Sequence, residues 1–353
     1  MRRRAGLILI GLGAFFLSLA PMVKFYVAQQ VMAAPTDFWQ KTTLRAEGAS
    51  YLDLTGPKVR KNVTLVLTNT TRGDPQASDG KTAVWDSFTS MLDPSSGSDV
   101  TVQGRRFAFD RRSGQLVNCC GAAVDQDTTV KQTGLGLLWP IGNVQKRTYS
   151  YFDQNTRRAW PMTFDGEEKV GGISTYRFIQ TIPETRLSTI PGIPANLLGL
   201  DKKKGNLAAD VIFQATTTMW VDPRTGVPVS QEENIRSTAR TRDGAGQLTL
   251  STADLKTVPE SQAALVKLSN GYAWKFVTVQ QWLPVGSLVF GLFLLATGAL
   301  LPLFESGGGR DKRPAPRPRG GPARAKGSRG QAPRSGPRPE RGPPARDRYS
   351  TRS

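Results

Sequence analysis

Two long apolar runs without a charged residue lie near the ends of a mostly polar chain. The first covers residues 5–23, and the second runs from Leu283 to Phe304. As a helix that rises about 1.5 Å per residue, the second run would be ~33 Å long, which matches the hydrocarbon core of a bilayer. A buried helix of a soluble protein rarely keeps all its faces apolar over this length. The pattern predicts two transmembrane α-helices, one at each end of the chain.

Between these runs the chain alternates apolar and polar residues over short stretches, separated by Gly, Asp, Asn and Pro. Such alternation is typical of antiparallel strands with one buried face. The clearest stretches are VTLVL, TYSYF, TYRFIQTI and ATTTMWV, at residues 63–67, 148–152, 175–182 and 215–221. We therefore expect a mainly β fold of antiparallel sheets, either a twisted sheet or a barrel-like sandwich, flanked by the two helices.

Two turns repeat one pattern. Residues 109–117 and 221–229 each contain a strand end, an Asp, three further residues, a Gly and a new strand. An Asp opens such a turn by accepting hydrogen bonds from its own backbone, and a Gly closes it where φ is positive. Reuse of a favourable turn explains the likeness more simply than duplication of a unit. We also expect turns at 165–166 and 171–172, around a short strand.

Residues 185–206 break the strand pattern with two prolines and a run of lysines. They predict a loop with a short helix that projects from the sheet. The cluster of Lys202, Lys203 and Lys204 could meet anionic lipid headgroups or glycans, or it could simply be solvated.

The net charge of +19 comes mostly from the two ends of the chain. Residues 2–4 are three arginines, and residues 305–353 contain 14 Lys or Arg against 4 Asp or Glu. Basic residues beside a transmembrane helix favour the cytoplasmic side, so both termini are predicted there, with the middle of the chain outside the plasma membrane. The first run also fits a cleaved signal peptide with a cut near residues 31–34, which would export the same middle segment.

These features divide the chain into four predicted parts. They are the basic start with the first transmembrane helix, the exported β-rich domain, the second transmembrane helix with its interfacial tryptophans, and a tail, at residues 1–33, 34–271, 272–304 and 305–353. The tail is rich in Gly, Pro and Arg, so it should be disordered. Contact with anionic lipids suits its charge better than nucleic-acid binding, because Tyr349 is its lone aromatic residue for stacking on bases.

The residue types that most enzymes use are scarce. There is no histidine, so the commonest general base and transition-metal ligand is missing. The acid pairs at 167–168 and 232–233 are adjacent in predicted strands, so their side chains point to opposite faces. Asp125 and Asp127 would share a face if extended, and they remain candidates for a calcium site or an acid/base pair. We predict a non-enzymatic protein with no catalytic residue, no cofactor and no metal.

The chain contains two cysteines, Cys119 and Cys120, and they are adjacent. Two thiols are too few for a four-cysteine zinc site or a disulfide framework. Outside the cytoplasm they could form a vicinal disulfide, although neighbouring Cα atoms about 3.8 Å apart are closer than in most bridges. Two free buried thiols, or a redox or ligand-contacting role, are the alternatives.

Three segments carry a family resemblance. They are TGLGLLWPIGNVQKRTYSYFD, VGGISTYRFIQTIP and MWVDPRTGVPV, at residues 133–153, 170–183 and 219–229. With the two terminal helices, they resemble the actinobacterial membrane family of PorA-type porins, first described as a domain of unknown function, over residues 3–302. Where the family has an aromatic-rich segment before the TY pair, this chain has LWPI at 138–141. The resemblance implies an envelope protein of high-GC Gram-positive bacteria with two membrane anchors, and it brings no catalytic residues.

The resemblance also implies a link to lipoglycan assembly, since some members are associated with maturation of lipomannan-type lipoglycans. We expect the exported domain to bind or present a lipid, a glycolipid or an envelope-assembly partner near the bilayer. The candidate ligand contacts are four aromatic residues, for which ordinary core packing is the alternative: Trp139, Tyr149, Tyr151 and Phe152. A scaffold for an envelope glycosyltransferase and an oligomeric pore are the alternative functions, the pore needing several chains because two helices cannot enclose one.

Overall fold

A computed structural model describes residues 2–56 and 58–301 of the protein, and the predicted tail lies outside them. The N-terminal helix α1 (Arg2–Met22) passes through a π-helical turn (Val23–Val27) into the short α2 (Ala28–Val31). The helical stretch from residue 4 to residue 27 is long and apolar enough to cross a membrane, as predicted.

The C-terminal helix is longer than the predicted transmembrane segment. It consists of α3 (Pro259–Val277), a π-helical turn (Thr278–Trp282) and α4 (Leu283–Leu300), which follow each other without a break. This helix of 42 residues is also apolar enough over part of its length to cross a membrane. The predicted domain boundary between residues 271 and 272 falls inside it.

Twelve strands fill the middle of the chain. In chain order they are β1 (Trp39–Asp53), β2 (Lys58–Gly73), β3 (Thr82–Asp93), β4 (Ser98–Asp110), β5 (Leu116–Val117), β6 (Ala123–Val124), β7 (Tyr149–Asp153), β8 (Arg158–Val170), β9 (Ile173–Pro194), β10 (Asn206–Val221), β11 (Pro228–Thr241) and β12 (Gln247–Thr257). The ladders are antiparallel, and the order across the sheet is β5-β4-β3-β2-β1-β12-β11-β10-β9-β8-β7, with β6 beside β4. The sheet curls into a half-barrel, which confirms the predicted mainly β fold with a helix at each end.

The two edges of the curled sheet meet through one loop residue. Leu135 forms an antiparallel bridge with Gln115, next to β5, and a parallel bridge with Tyr151 in β7. Its N–H donates to the Ser150 carbonyl at 2.7 Å, and its carbonyl accepts from the Phe152 N–H at 2.9 Å. The edge strands are therefore covered here, which is one way in which sheets avoid pairing with other chains.

The predicted loop at 185–206 is wrong over much of its length, because β9 continues to Pro194. Proline lacks the N–H that a ladder needs, and it is tolerated where a strand bulges. Pro183 and Pro191 fall in register shifts between β9 and β10, where no residue pairs with them directly. The loop is confined to residues 195–205.

The predicted turn at 165–166 is also wrong, since β8 runs through it. Phe164 and Gly166 both pair with β9, and the register shifts between them, so Asp165 is the extra residue of a bulge. An Asp-Gly pair serves a bulge as readily as a turn, because both interrupt the ladder locally.

The other predicted turns are present. Gly171 and Gly172 join β8 to β9 with φ of 55° and 82°. Gly114 and Gly226 close the two Asp turns, and each donates its N–H to the carbonyl of the opening Asp, at 2.9 and 2.8 Å. A Cβ on either glycine would collide with a backbone carbonyl of residues 138–139, so both turns pack against the same loop.

The helices α1 and α4 pack against each other through glycines and run antiparallel. Gly6 lies against Gly298, and Gly13 lies against Gly291, where a Cβ would come within 2.9 Å of the facing carbonyl. Such close backbone approach is typical of helix pairs in membranes. Large apolar side chains point outward instead, as Phe293 does with 63% exposure.

The helix α3 packs across the end of the half-barrel where β1 begins and β12 ends, which we call the helix end. Ser261 accepts a hydrogen bond from the Thr43 N–H at 2.9 Å. Val266 packs against Val170 and Ile173 at the β8–β9 turn. The sheet and the C-terminal helix are thus joined by direct contacts as well as by the chain.

Candidate ligand cavity

The concave side of the half-barrel encloses a cavity of about 440 Å³. This volume falls within the usual range of ligand pockets, about 300–1,000 Å³. Leu268, Tyr272 and Phe276 of α3 line it at the helix end, together with the loop residues 33–35 and 137–138. Because α3 is continuous with α4, the rim of the cavity is built by segments that adjoin the candidate membrane helices.

Aromatic rings form the first layer of the wall inside this rim. Phe38 stacks on Trp85 with 4.2 Å between ring centroids, and Phe109 meets Trp85 edge-on at 4.9 Å. The Trp85 Nε1 donates to the Pro35 carbonyl at 3.1 Å, so the indole is fixed and its hydrogen bond is satisfied. This layer gives the helix end of the cavity an apolar wall.

Two rows of polar side chains cross the concave face of β1 to β4 beyond the aromatic layer. We call them the polar belt, and its residues are Gln40, Thr71, Ser87 and Arg105 in one row and Thr42, Asn69, Thr89 and Gln103 in the other. The Asn69 Nδ2 joins the rows by donating to Ser87 at 2.8 Å and to Thr89 at 2.7 Å. Gln103 donates to Asn155 in the β7–β8 turn at 2.9 Å, so the belt also connects the two edges of the sheet.

Arg105 is the charged member of the polar belt, and it is only 8% exposed. Its Nε donates to the Gln132 Oε1 at 2.8 Å, while its Nη2 is buried without a hydrogen-bond partner among the described residues. The guanidinium lies 4.8 Å from the ring centroid of Phe107 and 4.7 Å from that of Phe152. Burial lowers the pKa of Arg105 to about 10, so the side chain keeps its charge at neutral pH.

Two carboxyl groups also line the cavity, Glu233 in β11 and Asp153 at the end of β7. Burial, together with a smaller effect of the nearby charge of Asp153, raises the pKa of Glu233 to about 7. Burial also raises the pKa of Asp153, although hydrogen bonds from Thr156 oppose the shift. The cavity thus combines a permanent cation with two acids that hold their protons more readily than usual.

The family model described as Porin PorA matches residues 5–300. The chain belongs to the Porin PorA family. One relative, described as Porin PorA from Corynebacterium resistens, is 26% identical over 147 residues, a match that covers 29% of this chain and 35% of the relative. The match thus spans about a third of that relative's length, and the resemblance read from the sequence is confirmed.

Two of the four aromatic residues predicted to contact a ligand line the cavity of this PorA-family protein. Tyr151 and Phe152 face the cavity. Trp139 and Tyr149 pack instead in the core around Phe178, with 4.1 and 5.8 Å between ring centroids. Core packing accounts for the latter two, and ligand contact stays a prediction for Tyr151 and Phe152.

The lysine cluster of the PorA-family chain lies far from the helix end of the cavity. Lys202, Lys203 and Lys204 form an exposed 3₁₀ turn between β9 and β10, and Asp201 caps it by accepting from the Lys203 N–H at 2.9 Å. The two strands lead from this tip to the helix end, so the cluster stands at the opposite end of the sheet from α3. Contact of these lysines with lipid headgroups stays a prediction.

Asp125 and Asp127 lie in a tight turn, and both carboxylates pair with the guanidinium of Arg157. Arg157 lies 3.8 Å from Asp125 and 3.2 Å from Asp127. The positive φ of Asp125 and Gln126, 50° and 68°, shows that the extended conformation assumed from the sequence is wrong. Within residues 2–56 and 58–301, no group of three or more His, Cys, Asp or Glu side chains is placed to hold a metal ion.

Cys119 and Cys120 are exposed, with Cα atoms 3.8 Å apart and their sulfur atoms in contact, and the vicinal disulfide that this geometry would allow stays a prediction. The Arg106 Nε donates to the Cys120 carbonyl at 3.1 Å and so connects this loop to β4. Both side chains are accessible, which makes the redox state of the pair easy to test.

We expect iodoacetamide to label neither cysteine before reduction and both cysteines after it, because a disulfide has no free thiolate. Peptide mass spectrometry of the protein purified from its membrane measures this directly. The double variant Cys119→Ala, Cys120→Ala gives the unlabelled reference. Labelling of either cysteine without a reductant would contradict the vicinal disulfide.

Sequence reasoning missed Arg105 and Glu233 as cavity residues. The signal is the strand alternation in TVQGRRFAF at residues 101–109, where every second residue, including Arg105 and Phe107, faces the concave side. An ionisable residue among the strand positions that face the concave side predicts a buried charge. Buried charges are found often at functional sites.

Proposed function

We propose that this protein is a non-enzymatic membrane protein of the cell envelope that holds a lipid or glycolipid in the half-barrel cavity. The observation that carries the proposal is the position of the cavity beside α3. Its rim is formed by α3, which continues into a helix long and apolar enough to cross a membrane. An amphiphile leaving the bilayer beside this helix would meet an apolar rim before it meets water.

The membrane arrangement that we propose has two spans, with both termini in the cytoplasm and the sheet outside it. Antiparallel packing of α1 on α4 supports it, because such a pair places the two chain ends on the same side. The three arginines at residues 2–4 favour the cytoplasm for that side.

The mixed chemistry of the cavity wall supports an amphiphilic ligand. An aromatic wall suits acyl chains, whereas the hydroxyl and amide groups of the polar belt suit a ligand that carries oxygen atoms. Lipid-linked glycans have both parts, which fits the role in lipoglycan assembly that the family resemblance implies. Presentation of such a ligand to an envelope glycosyltransferase is the corresponding scaffold role.

A pore, which the family name suggests, is less well supported by the sheet. Charged side chains such as Lys41, Arg45 and Lys256 are exposed on its convex face. A strand wall that faced lipid would exclude them, since each costs about 2–4 kcal/mol at the bilayer midplane. Conductance across planar bilayers by the purified protein would favour a pore formed by several chains.

The test of the carrier proposal is a variant that fills the cavity. Thr42 lines the cavity, and a Thr42→Trp side chain would take the space of the ligand. We expect lipid that co-purifies with the full chain in mild detergent to fall at least fivefold, since overpacking costs about 1 kcal/mol or more. Lipid extraction and mass spectrometry measure the amount per chain.

The matched control is Lys41→Trp, the preceding residue, whose side chain is exposed on the convex face. This variant should retain the wild-type amount of lipid. A wild-type protein free of lipid, or equal lipid in both tryptophan variants, would contradict the proposed function.

A further inference from the structure

A buried guanidinium normally lies next to a carboxylate, because an unpaired charge in a protein interior is strongly unfavourable. Arg105 is buried, yet its one hydrogen bond to a side chain goes to the neutral amide of Gln132. Its Nη2 has no partner among the described residues, although the side chain lines the cavity. The Arg105 side chain therefore brings to the cavity wall a positive charge that no carboxylate of the described residues pairs with through a hydrogen bond.

The surroundings of Arg105 fix its direction. The rings of Phe107 and Phe152 lie on either side of the guanidinium at 4.8 and 4.7 Å from their centroids. Gln132 is 1% exposed, and its own Nε2 donates to the Arg106 carbonyl at 2.9 Å, so it cannot easily move. A donor held in one position binds an acceptor at a smaller entropic cost than a mobile one.

A second unused donor lies in the same wall. The Gln154 Nε2 is buried without a hydrogen-bond partner among the described residues, and Gln154 also lines the cavity. A cation in the wall of a cavity, without a hydrogen-bonded carboxylate, calls for an anionic ligand. The pKa of Glu233 and the pKa of Asp153 are both raised, so these two acids of the cavity hold their protons more readily than free acids do.

We propose that Arg105 binds the anionic oxygen group, a phosphate or a carboxylate, of an amphiphile held in the cavity. The inference rests on the proposed lipid-binding function and names the chemical group that the site selects. A charge-assisted hydrogen bond from the guanidinium and its positive charge act together on that group. Neutral lipids with the same chains lack this interaction, so the cavity prefers anionic lipids.

The experiment compares two lipids with the same acyl chains, phosphatidic acid and diacylglycerol, on the delipidated full chain in detergent. We expect phosphatidic acid to bind about tenfold tighter or more, which is the effect of one hydrogen bond to a charged group. In Arg105→Gln this preference should disappear, while the affinity for diacylglycerol stays the same. Native mass spectrometry or a fluorescent-lipid displacement assay measures both affinities.

Two further variants separate binding from folding. Arg45→Gln removes an exposed arginine of the convex face and should keep the preference. Arg105→Lys keeps the charge and should retain part of the preference, even if Arg105→Gln is too unstable to purify. Inorganic phosphate alone should not compete with phosphatidic acid at equal concentration, because it lacks the chains that the apolar rim binds.

The outcomes distinguish the two proposals. Equal affinity of the wild type for both lipids, or a preference that survives in Arg105→Gln, would overturn the role of Arg105 and leave lipid binding intact. Failure of both lipids to bind would overturn the proposed function itself. Competition by inorganic phosphate that depends on Arg105 would show that the site binds free phosphate, which also overturns the inference.

Discussion

The substitution Asp222→Ala should lower the free energy of unfolding by about 3 kcal/mol. The Asp222 side chain is fully buried at the β10–β11 turn, where it accepts from the Arg224 N–H at 2.9 Å and from the Arg224 Nη2 at 2.7 Å. It also accepts from the Ser269 hydroxyl of α3 at 2.8 Å. Removal of the carboxylate leaves the buried Arg224 N–H unpaired and removes one of the hydrogen bonds that join α3 to the sheet. We expect the midpoint of thermal unfolding in detergent to fall by about 6–12 °C.

The repeated turn at residues 110–114 provides the control. Asp110 accepts from the N–H groups of Arg112 and Ser113 at 3.1 and 2.9 Å, as Asp222 does in its own turn, but its side chain makes no hydrogen bond to a helix among the described residues. Asp110→Ala should therefore cost about 1 kcal/mol, as for the loss of a local cap. Equal losses in the two variants would show that the contact between Asp222 and α3 adds no stability.

The substitution Glu233→Gln should stabilise the protein by up to about 3 kcal/mol at pH 8 and by almost nothing at pH 4. At pH 4 the carboxyl group is protonated in both the folded and the unfolded chain, so an amide changes little. As the pH rises from the ordinary pKa of 4.5 towards the folded value of about 7, the unfolded chain ionises while the folded chain retains its proton. The free energy of unfolding of the wild type therefore decreases between these two pH values and stays level above them. In Glu233→Gln this decrease is absent, because an amide does not ionise.

Thermal unfolding of both proteins at pH 4, 6 and 8 measures this difference. The control is Glu232→Gln, because Glu232 lies on the opposite face of β11 and pairs with Lys256 at 3.1 Å. A partly exposed ion pair contributes less than about 1 kcal/mol, so this variant should follow the wild type at each pH. If the stability of Glu233→Gln changes with pH in parallel with that of the wild type, the cavity does not raise the pKa of Glu233.

Local patterns predicted the fold class and several of the elements of this fold. The alternation in stretches such as 175–182 identified strands, because the side chains of a strand point to opposite faces in turn. The glycines of the two Asp turns were predictable for the same reason, since a positive φ is a property of a single residue. The apolar run from Leu283 revealed a membrane helix without any knowledge of its partner.

Features that depend on distant parts of the chain could not be predicted. The prolines of β9 pointed to a loop, because the bulges that accommodate Pro183 and Pro191 are defined only by pairing with β10. The cavity arises from the curl of the whole sheet and from α3 across its end. The burial of Arg105 depends on Gln132 and Phe152, which come from a loop and from β7. Alternation placed Arg105 on the inward face, but the pattern alone does not show that its Nη2 lacks a partner.

The unbroken helix from Pro259 to Leu300 makes the rim of the cavity and a membrane anchor one mechanical part. A helix of 42 residues is ~63 Å long, so it acts as a lever that is held at one end by the bilayer. Bilayer thickness sets the tilt of such a helix through hydrophobic mismatch, and a tilt of ~10° moves the end of a ~30 Å arm by ~5 Å. If the π-helical turn at 278–282 stays straight, a thinner or thicker membrane would therefore move α3 and, with it, the wall of the cavity at the helix end.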